Sequence, residues 1–309
     1  MSITRDDTQL IPVVTCDTVQ DLLTCLLPTY DLWASPHNYA WLFRGQGDAD
    51  WHLQPRVFRD SARRSYRPGQ NRRYEPHQWL VEQEYQMVCD FLLLADRAGL
   101  RVPSEAHAMM TNRELRPKGA DNEEILRQWP PIGMHQAMAL AQHHGVPTRL
   151  LDFTINPLIA AYFAVMHERP SQGGSEFFCV WALNRFNLFN YVGRYREVFA
   201  PRYANANLNE QEAVFLLDEQ ANAQLFSSGE VAPMDQVVSE TLERLSTANA
   251  GTYAVAHPIL TKIRAPITER KRVIVAMNRM GFNKARLMPS YDSVVETLEY
   301  FCDHDMTAT

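Results

Sequence analysis

Arg44, His143, Thr154, Asn156, Glu210 and Glu212 are the residues of this chain whose types and settings fit chemistry on a phosphate-bearing ligand. Arg44 ends the short apolar run Trp41-Leu42-Phe43 and is followed by Gly45-Gln46-Gly47. A guanidinium can fork two hydrogen bonds to a phosphate, and glycine lets backbone approach a ligand closely. The plainer reading is a surface hairpin in which Arg44 pairs with Asp48 or Asp50. Residues 140–165, LAQHHGVPTRLLDFTINPLIAAYFAV, place polar groups where a strand becomes a helix. Backbone N–H groups are free at such a junction and the helix dipole favours an anion. Pro157 suits the first helical turn, because the N–H it lacks would be unpaired there.

His143 and His144 precede Gly145, so a neutral imidazole is available to donate to a ribose hydroxyl or to act as acid or base. A helix C-terminus ended by glycine explains the same residues without function. Arg149 and Asp152 read as a buried pair pinning two elements together. Glu210 and Glu212 are two apart at the entrance to the strand-like run Ala213–Leu217. In extended chain they point the same way, and two carboxylates facing one cleft can divide proton transfer and positioning between them. A solvated charge pair at a strand entrance is the alternative.

Composition narrows the setting. The 309 residues are 46% hydrophobic and 21% charged, enough apolar material for a sizeable core. With 30 basic against 36 acidic residues, a general basic field for coating nucleic acid is excluded, though a local basic groove is not. The five cysteines are odd in number and show no C-x-x-C pairing, against a zinc site or a disulfide framework. No leader-like N-terminus and no apolar run long enough to span a bilayer is present, so a soluble cytoplasmic protein without membrane attachment is expected. A G-x-S-x-G elbow, a P-loop and a complete G-x-G-x-x-G fingerprint are all lacking.

The elements that must position these groups follow from periodicity. Val19, Leu22, Leu23, Leu26 and Leu27 share one helical face. Helices are predicted over about 79–99, 132–144, 157–168, 268–281 and 290–303, and strands over 147–152, 177–183, 212–217 and within 254–263. Residues 185–209 read as loop, and the arginine-rich stretch within 56–78 as an exposed insertion. The irregular mixture predicts an α+β fold: an N-terminal helical segment over 1–35 and one mixed domain over 36–309.

Phe43-Arg44-Gly45, together with the block running from Gln142-His143 through Gly145, Pro147-Thr148-Arg149-Leu150-Leu151-Asp152-Phe153-Thr154 and Asn156-Pro157, resembles the FRG domain, a family named for that tripeptide. The resemblance covers about residues 38–300. A more distant likeness is to the arginine-serine-glutamate class of ADP-ribosyltransferases, with Asp152-Phe153-Thr154 standing where that class has Ser-Thr-Ser. This second likeness implies a split β core flanked by helices, and NAD as substrate with no metal. It matches Arg44 and Thr154 to NAD, Glu212 to the catalytic carboxylate and Glu210 to the group that orients the acceptor, and the neighbouring Gly45, Gln46, His143 and Asn156 are expected to complete the NAD site. The acceptor is a nucleic acid or a protein. By analogy the protein is a toxin of a toxin–antitoxin or phage-defence system, with an antitoxin protein as partner. An NAD hydrolase and a non-catalytic nucleotide-binding module are the alternatives.

Overall fold

Continuous apolar runs such as Phe177–Asn184 and Ala213–Asp218 are buried almost throughout and form interior strands of one sheet. The computed structural model describes residues 3–33, 40–59, 76–106, 126–166, 173–199, 209–248 and 258–303. Most of the arginine-rich stretch, residues 60–75, lies outside these, as do residues 254–257 of the last predicted strand.

The chain is a mixed α+β protein, with eight strands in one sheet among the described residues. In order along the chain come β1 (Ile3–Asp6), β2 (Val13–Cys16), α1 (Val19–Leu26), β3 (Trp41–Gln46) and α2 (Pro76–Arg97). There follow α3 (His135–His143), β4 (Leu150–Thr154), α4 (Pro157–Met166), β5 (Phe177–Asn184), β6 (Tyr195–Val198) and β7 (Ala213–Asp218). The rest are α5 (Ala221–Ser228), α6 (Met234–Ala248), β8 (Leu260–Pro266), α7 (Arg270–Arg279), α8 (Lys284–Leu287) and α9 (Tyr291–Asp303). The strand order is β1-β2-β8-β5-β3-β4-β7-β6, antiparallel except for the parallel β2–β8 pair.

Two differences from expectation concern strands. The N-terminal segment, expected to be helical, also supplies β1 and β2, and β2 extends the sheet beside β8. Residues 185–209, expected as loop, contain β6, the opposite edge. Both edge strands are short and mixed in polarity, so they carry little alternation to detect.

Side chains alternate across the sheet. One face of β3, β5 and β8 presents Trp41, Phe43, Val180, Ala182 and Ile263 to α1, α4 and α7. On the same side, farther along, Leu150, Phe215 and Leu217 pack under α2, α3 and α5. The other face, with Leu42, Trp181, Leu151 and Leu216, is covered by α6. The functional geometry arises where α3 and α4 stand apart on the first face.

Candidate functional site

β3 and β4 share a single residue pair, Phe43 with Thr154, and diverge beyond it. The guanidinium of Arg44 spans this wedge. Its Nη1 donates to the Asp152 carbonyl oxygen (2.6 Å) and to the Asp152 carboxylate (2.5 Å). Gln142 of α3 donates to the same carboxylate (3.1 Å), and the Thr148 hydroxyl donates to Gln142. Strand and helix are thereby tied together at the back of the wedge. The Arg44 Nε is buried without a partner.

A cleft of about 600 Å³ opens above the wedge. This lies within the range of small-molecule sites, roughly 300–1,000 Å³. Arg44, Arg56, Arg59, His143, Asp152 and Thr154 supply its polar wall, and Phe43, Trp51, Phe163 and Phe215 its aromatic one. Arg56 is steered by a bond to the Gly145 carbonyl (2.9 Å), and Arg59 by its Nε to the Gln54 carbonyl (2.9 Å). Burial, reinforced by Arg44 and Arg56 and opposed by Asp152, pulls the Arg59 pKa down to about 10. Arg59 remains charged at neutral pH, in a cleft where positive charge exceeds negative.

His143 ends α3, and Gly145 (φ +91°) turns the chain away beyond it. His143 faces the cleft, while the next imidazole, His144, stacks on Phe91. Burial, with a smaller push from His144 and against the pull of Asp152, lowers the His143 pKa from 6.5 to about 4. The ring is neutral at pH 7, a hydrogen-bonding group and not a cation. Because the unfolded chain takes up this proton near pH 6.5, the stability tied to neutral His143 is complete above that pH. It is lost as pH falls towards about 4. The urea midpoint of the protein is expected to drop more steeply between pH 6.5 and 4 than that of His143→Gln.

Several sequence expectations are corrected. Gly45 lines the cleft at its floor on α4: a Cβ there would lie 1.9 Å from the Ala160 carbonyl oxygen and 2.5 Å from the Ala164 nitrogen. The missing side chain is what lets β3 pack this closely on α4. Gln46 borders the cleft, yet its amide is committed to structure, donating to the His52 carbonyl (3.0 Å) and accepting from the Trp181 indole (2.7 Å). Arg44 pairs with Asp152, not with Asp48 or Asp50, and Arg149 pairs with Glu84 (2.6 Å) in the core, not with Asp152.

The carboxylates differ most from expectation. Residues 211–212 form a turn and Glu212 has φ +47°, so the chain is not extended across 210–212. The three side chains go different ways. Gln211 lines the cleft and donates to the Leu287 carbonyl (3.0 Å), whereas Glu210 lies 3.9 Å from Arg286. Glu212 accepts from the Asn156 amide (3.1 Å). Asn156 in turn caps α4 by accepting from the Leu158 N–H (3.0 Å), and its own N–H bonds the Thr154 hydroxyl (3.1 Å). Asn156 therefore holds Glu212 next to the β4–α4 junction, both of its own side-chain groups are occupied, and Asn156, Glu210 and Glu212 are not among the residues that line the cleft. Arg56 and Arg59 are cleft residues that no sequence assignment singled out. Their signal was the start of the arginine cluster, which read as an exposed insertion.

Residues 39–173 match the FRG domain. The chain carries an FRG domain. Its matched part contains the Arg44–Asp152 wedge, both cleft-lining ends of α3 and α4, and the three arginines. β5, β7 and β8, which complete the sheet around the FRG domain, lie beyond the matched residues. No curated protein and no solved structure matches the chain. Among the described residues, no group of three or more His, Cys, Asp or Glu is arranged to hold a metal ion, and no helix is long and apolar enough to cross a membrane.

Proposed function

We propose that the cleft binds a phosphate-bearing nucleotide, with NAD as the donor in an ADP-ribosyl transfer to a macromolecular acceptor. The observation that carries the binding reading is three guanidiniums, Arg44, Arg56 and Arg59, lining one cleft with Asp152. A diphosphate supplies the anion that such a wall favours. The aromatic wall suits a planar base, and neutral His143 suits a ribose hydroxyl. Thr154 lies where β4 passes into the Asn156-capped α4.

Glu212 is the group for the chemistry. Cleavage of the nicotinamide glycosidic bond develops positive charge on the ribose, and a carboxylate beside the sugar stabilises it. Gln211 and Ala213, on either side of Glu212, both line the cleft. In this reading Glu212 acts from the rim, held by Asn156, and Glu210 faces the acceptor. A second reading, binding without turnover, is favoured by one observation: Glu212 and Glu210 are directed at Asn156 and Arg286, while Gln211 takes the cleft-facing place.

Calorimetric titration with NAD and ADP-ribose tests the binding. Arg44→Ala is expected to weaken it by about ten- to a hundredfold, the scale of a lost hydrogen bond to a charged group. Equal affinity in the variant would refute the placement of the phosphates. Incubation with labelled NAD and cell lysate separates the remaining readings. Transfer predicts a labelled macromolecule and nicotinamide release that falls about a hundredfold or more in Glu212→Gln. Free ADP-ribose alone would indicate a hydrolase. Binding with no nicotinamide released from wild type would leave only the binding module. Growth arrest on expression, relieved by Glu212→Ala, is expected if the activity serves as a toxin.

A further inference from the structure

Helix α9 is amphipathic in an inverted sense, with its polar row packed inward and its apolar row outward. Its inward row consists of Ser293 and Thr297, both buried, with Tyr300 partly packed against the core. That row docks through hydroxyls: Thr297 accepts from the Ala285 N–H of α8 (3.1 Å) and donates to the Ser293 carbonyl (2.7 Å). The outward row is apolar. Tyr291 is 93% exposed, Val294 43%, Val295 52% and Leu298 47%. These residues recur at i, i+3, i+4 and i+7, so they form one continuous stripe, and exposed Cys302 extends it by one turn. Burying such a stripe is the usual source of stability for a surface helix, and here it faces outward.

Charge along α9 is equally one-sided. Asp292, Glu296 and Glu299 follow one another at i, i+4 and i+7, forming a single acidic row beside the stripe. The helix contains no Lys, Arg or His. Lys284 of α8 reaches Glu296, leaving most of the row without a cation from α9 itself. An antiparallel pairing of two copies of α9 would set acidic rows against each other. A bilayer with anionic headgroups would be repelled for the same reason.

We infer that α9 is a docking surface for a partner protein, which lays on it a helix with an apolar stripe flanked by lysine or arginine. Helix-on-helix recognition uses this i, i+3, i+4, i+7 spacing, and the complementary flank fixes orientation and speeds encounter. The N-terminal end of the surface adjoins the nucleotide cleft. Met288 lines that cleft, Gln211 bonds the Leu287 carbonyl, and Tyr291 stands three residues beyond Met288. A bound partner therefore sits beside the mouth of the cleft, whatever chemistry the cleft performs.

The test uses the full-length protein and two synthetic helical peptides labelled with a fluorophore. Both carry leucines at i, i+3, i+4 and i+7, one with a lysine flank and one with a glutamate flank. Fluorescence anisotropy is expected to show saturable binding of the lysine peptide at least about tenfold tighter than that of the glutamate peptide, with the gap closing as salt is raised. Val295→Asp and Leu298→Asp are each expected to abolish binding while leaving the unfolding midpoint unchanged, since both positions are about half exposed. Equal affinity for the two peptides, or no binding of either, overturns the proposal. So does sedimentation that shows a dimer dissociated by Leu298→Asp, because the stripe would then belong to a second copy. NAD titration of Leu298→Asp separates this surface from the cleft, as unchanged affinity is expected.

Discussion

Glu84→Gln is expected to destabilise the protein by about 3–5 kcal/mol, the cost of leaving a buried charge without its partner. Glu84 and Arg149 are almost fully buried. One Glu84 oxygen accepts from the Arg149 backbone N–H (2.7 Å), and the other from the Arg149 Nε (2.6 Å) and the Trp129 indole (3.0 Å). The Arg149 Nη1 goes on to Asn222 (2.6 Å), whose amide donates to the carbonyls of Leu126, Arg127 and Trp129. One carboxylate thus holds α2, the entrance to β4 and, through Arg149 and Asn222, α5. The neutral amide keeps the shape and removes the charge. Urea denaturation measures the loss, and a change under about 1 kcal/mol would show that the network is dispensable. Replacing both members by apolar residues of similar volume should recover only part of it. The Arg149 N–H and the Trp129 indole still lose their acceptor in that double variant.

Gly45→Ala carries the second large effect. The added methyl would approach the Ala160 carbonyl oxygen to 1.9 Å and the Ala164 nitrogen to 2.5 Å. Both are helix backbone atoms, so no rotamer change relieves the overlap, and α4 must lift from β3. Overpacking of this kind costs 1–3 kcal/mol when side chains can yield, and about 3 kcal/mol or more is expected where backbone meets backbone. The neighbouring Arg44 moves with the strand. NAD affinity and the unfolding midpoint are therefore expected to fall together in Gly45→Ala, whereas Arg44→Ala loses affinity while keeping most of its stability. If Gly45→Ala is as stable as wild type, the close β3–α4 contact is not as described.

These two residues also show what can be read from a sequence and what cannot. α4, β5 and β7 are legible because long apolar runs leave few alternatives, and α4 is marked by Asn156-Pro157 at its start. That Arg44 and Thr154 belong to one site is legible from the Phe-Arg-Gly tripeptide and the histidine-to-proline block. The partner of Arg149 is not, because Glu84 lies 65 residues away on a helix with no marker of that contact. The directions of Glu210 and Glu212 are lost for a local reason. Period-2 reasoning assumes an extended chain, and a positive φ at a glutamate has no sequence signature. Arg56 and Arg59 are missed because a basic cluster reads as solvated surface, although Arg59 is partly buried in the cleft wall and Arg56, while exposed, borders it.

The route of the sheet sets a limit on how this protein can be divided. β3 shares one ladder pair with β4, besides the Arg44–Asp152 bridge, whereas six pairs join β3 to β5, which enters only at Phe177. A fragment cut to residues 39–173 would keep two strands joined by a single ladder pair and one arginine bridge, and would shed the scaffold that aligns them. Its apolar faces would be left open to water, and such a piece should collapse or aggregate rather than act as a portable module. The stretch that identifies the family is thus a label sewn into a larger cloth, and any transplant to another protein has to bring β5, β7 and β8 with it.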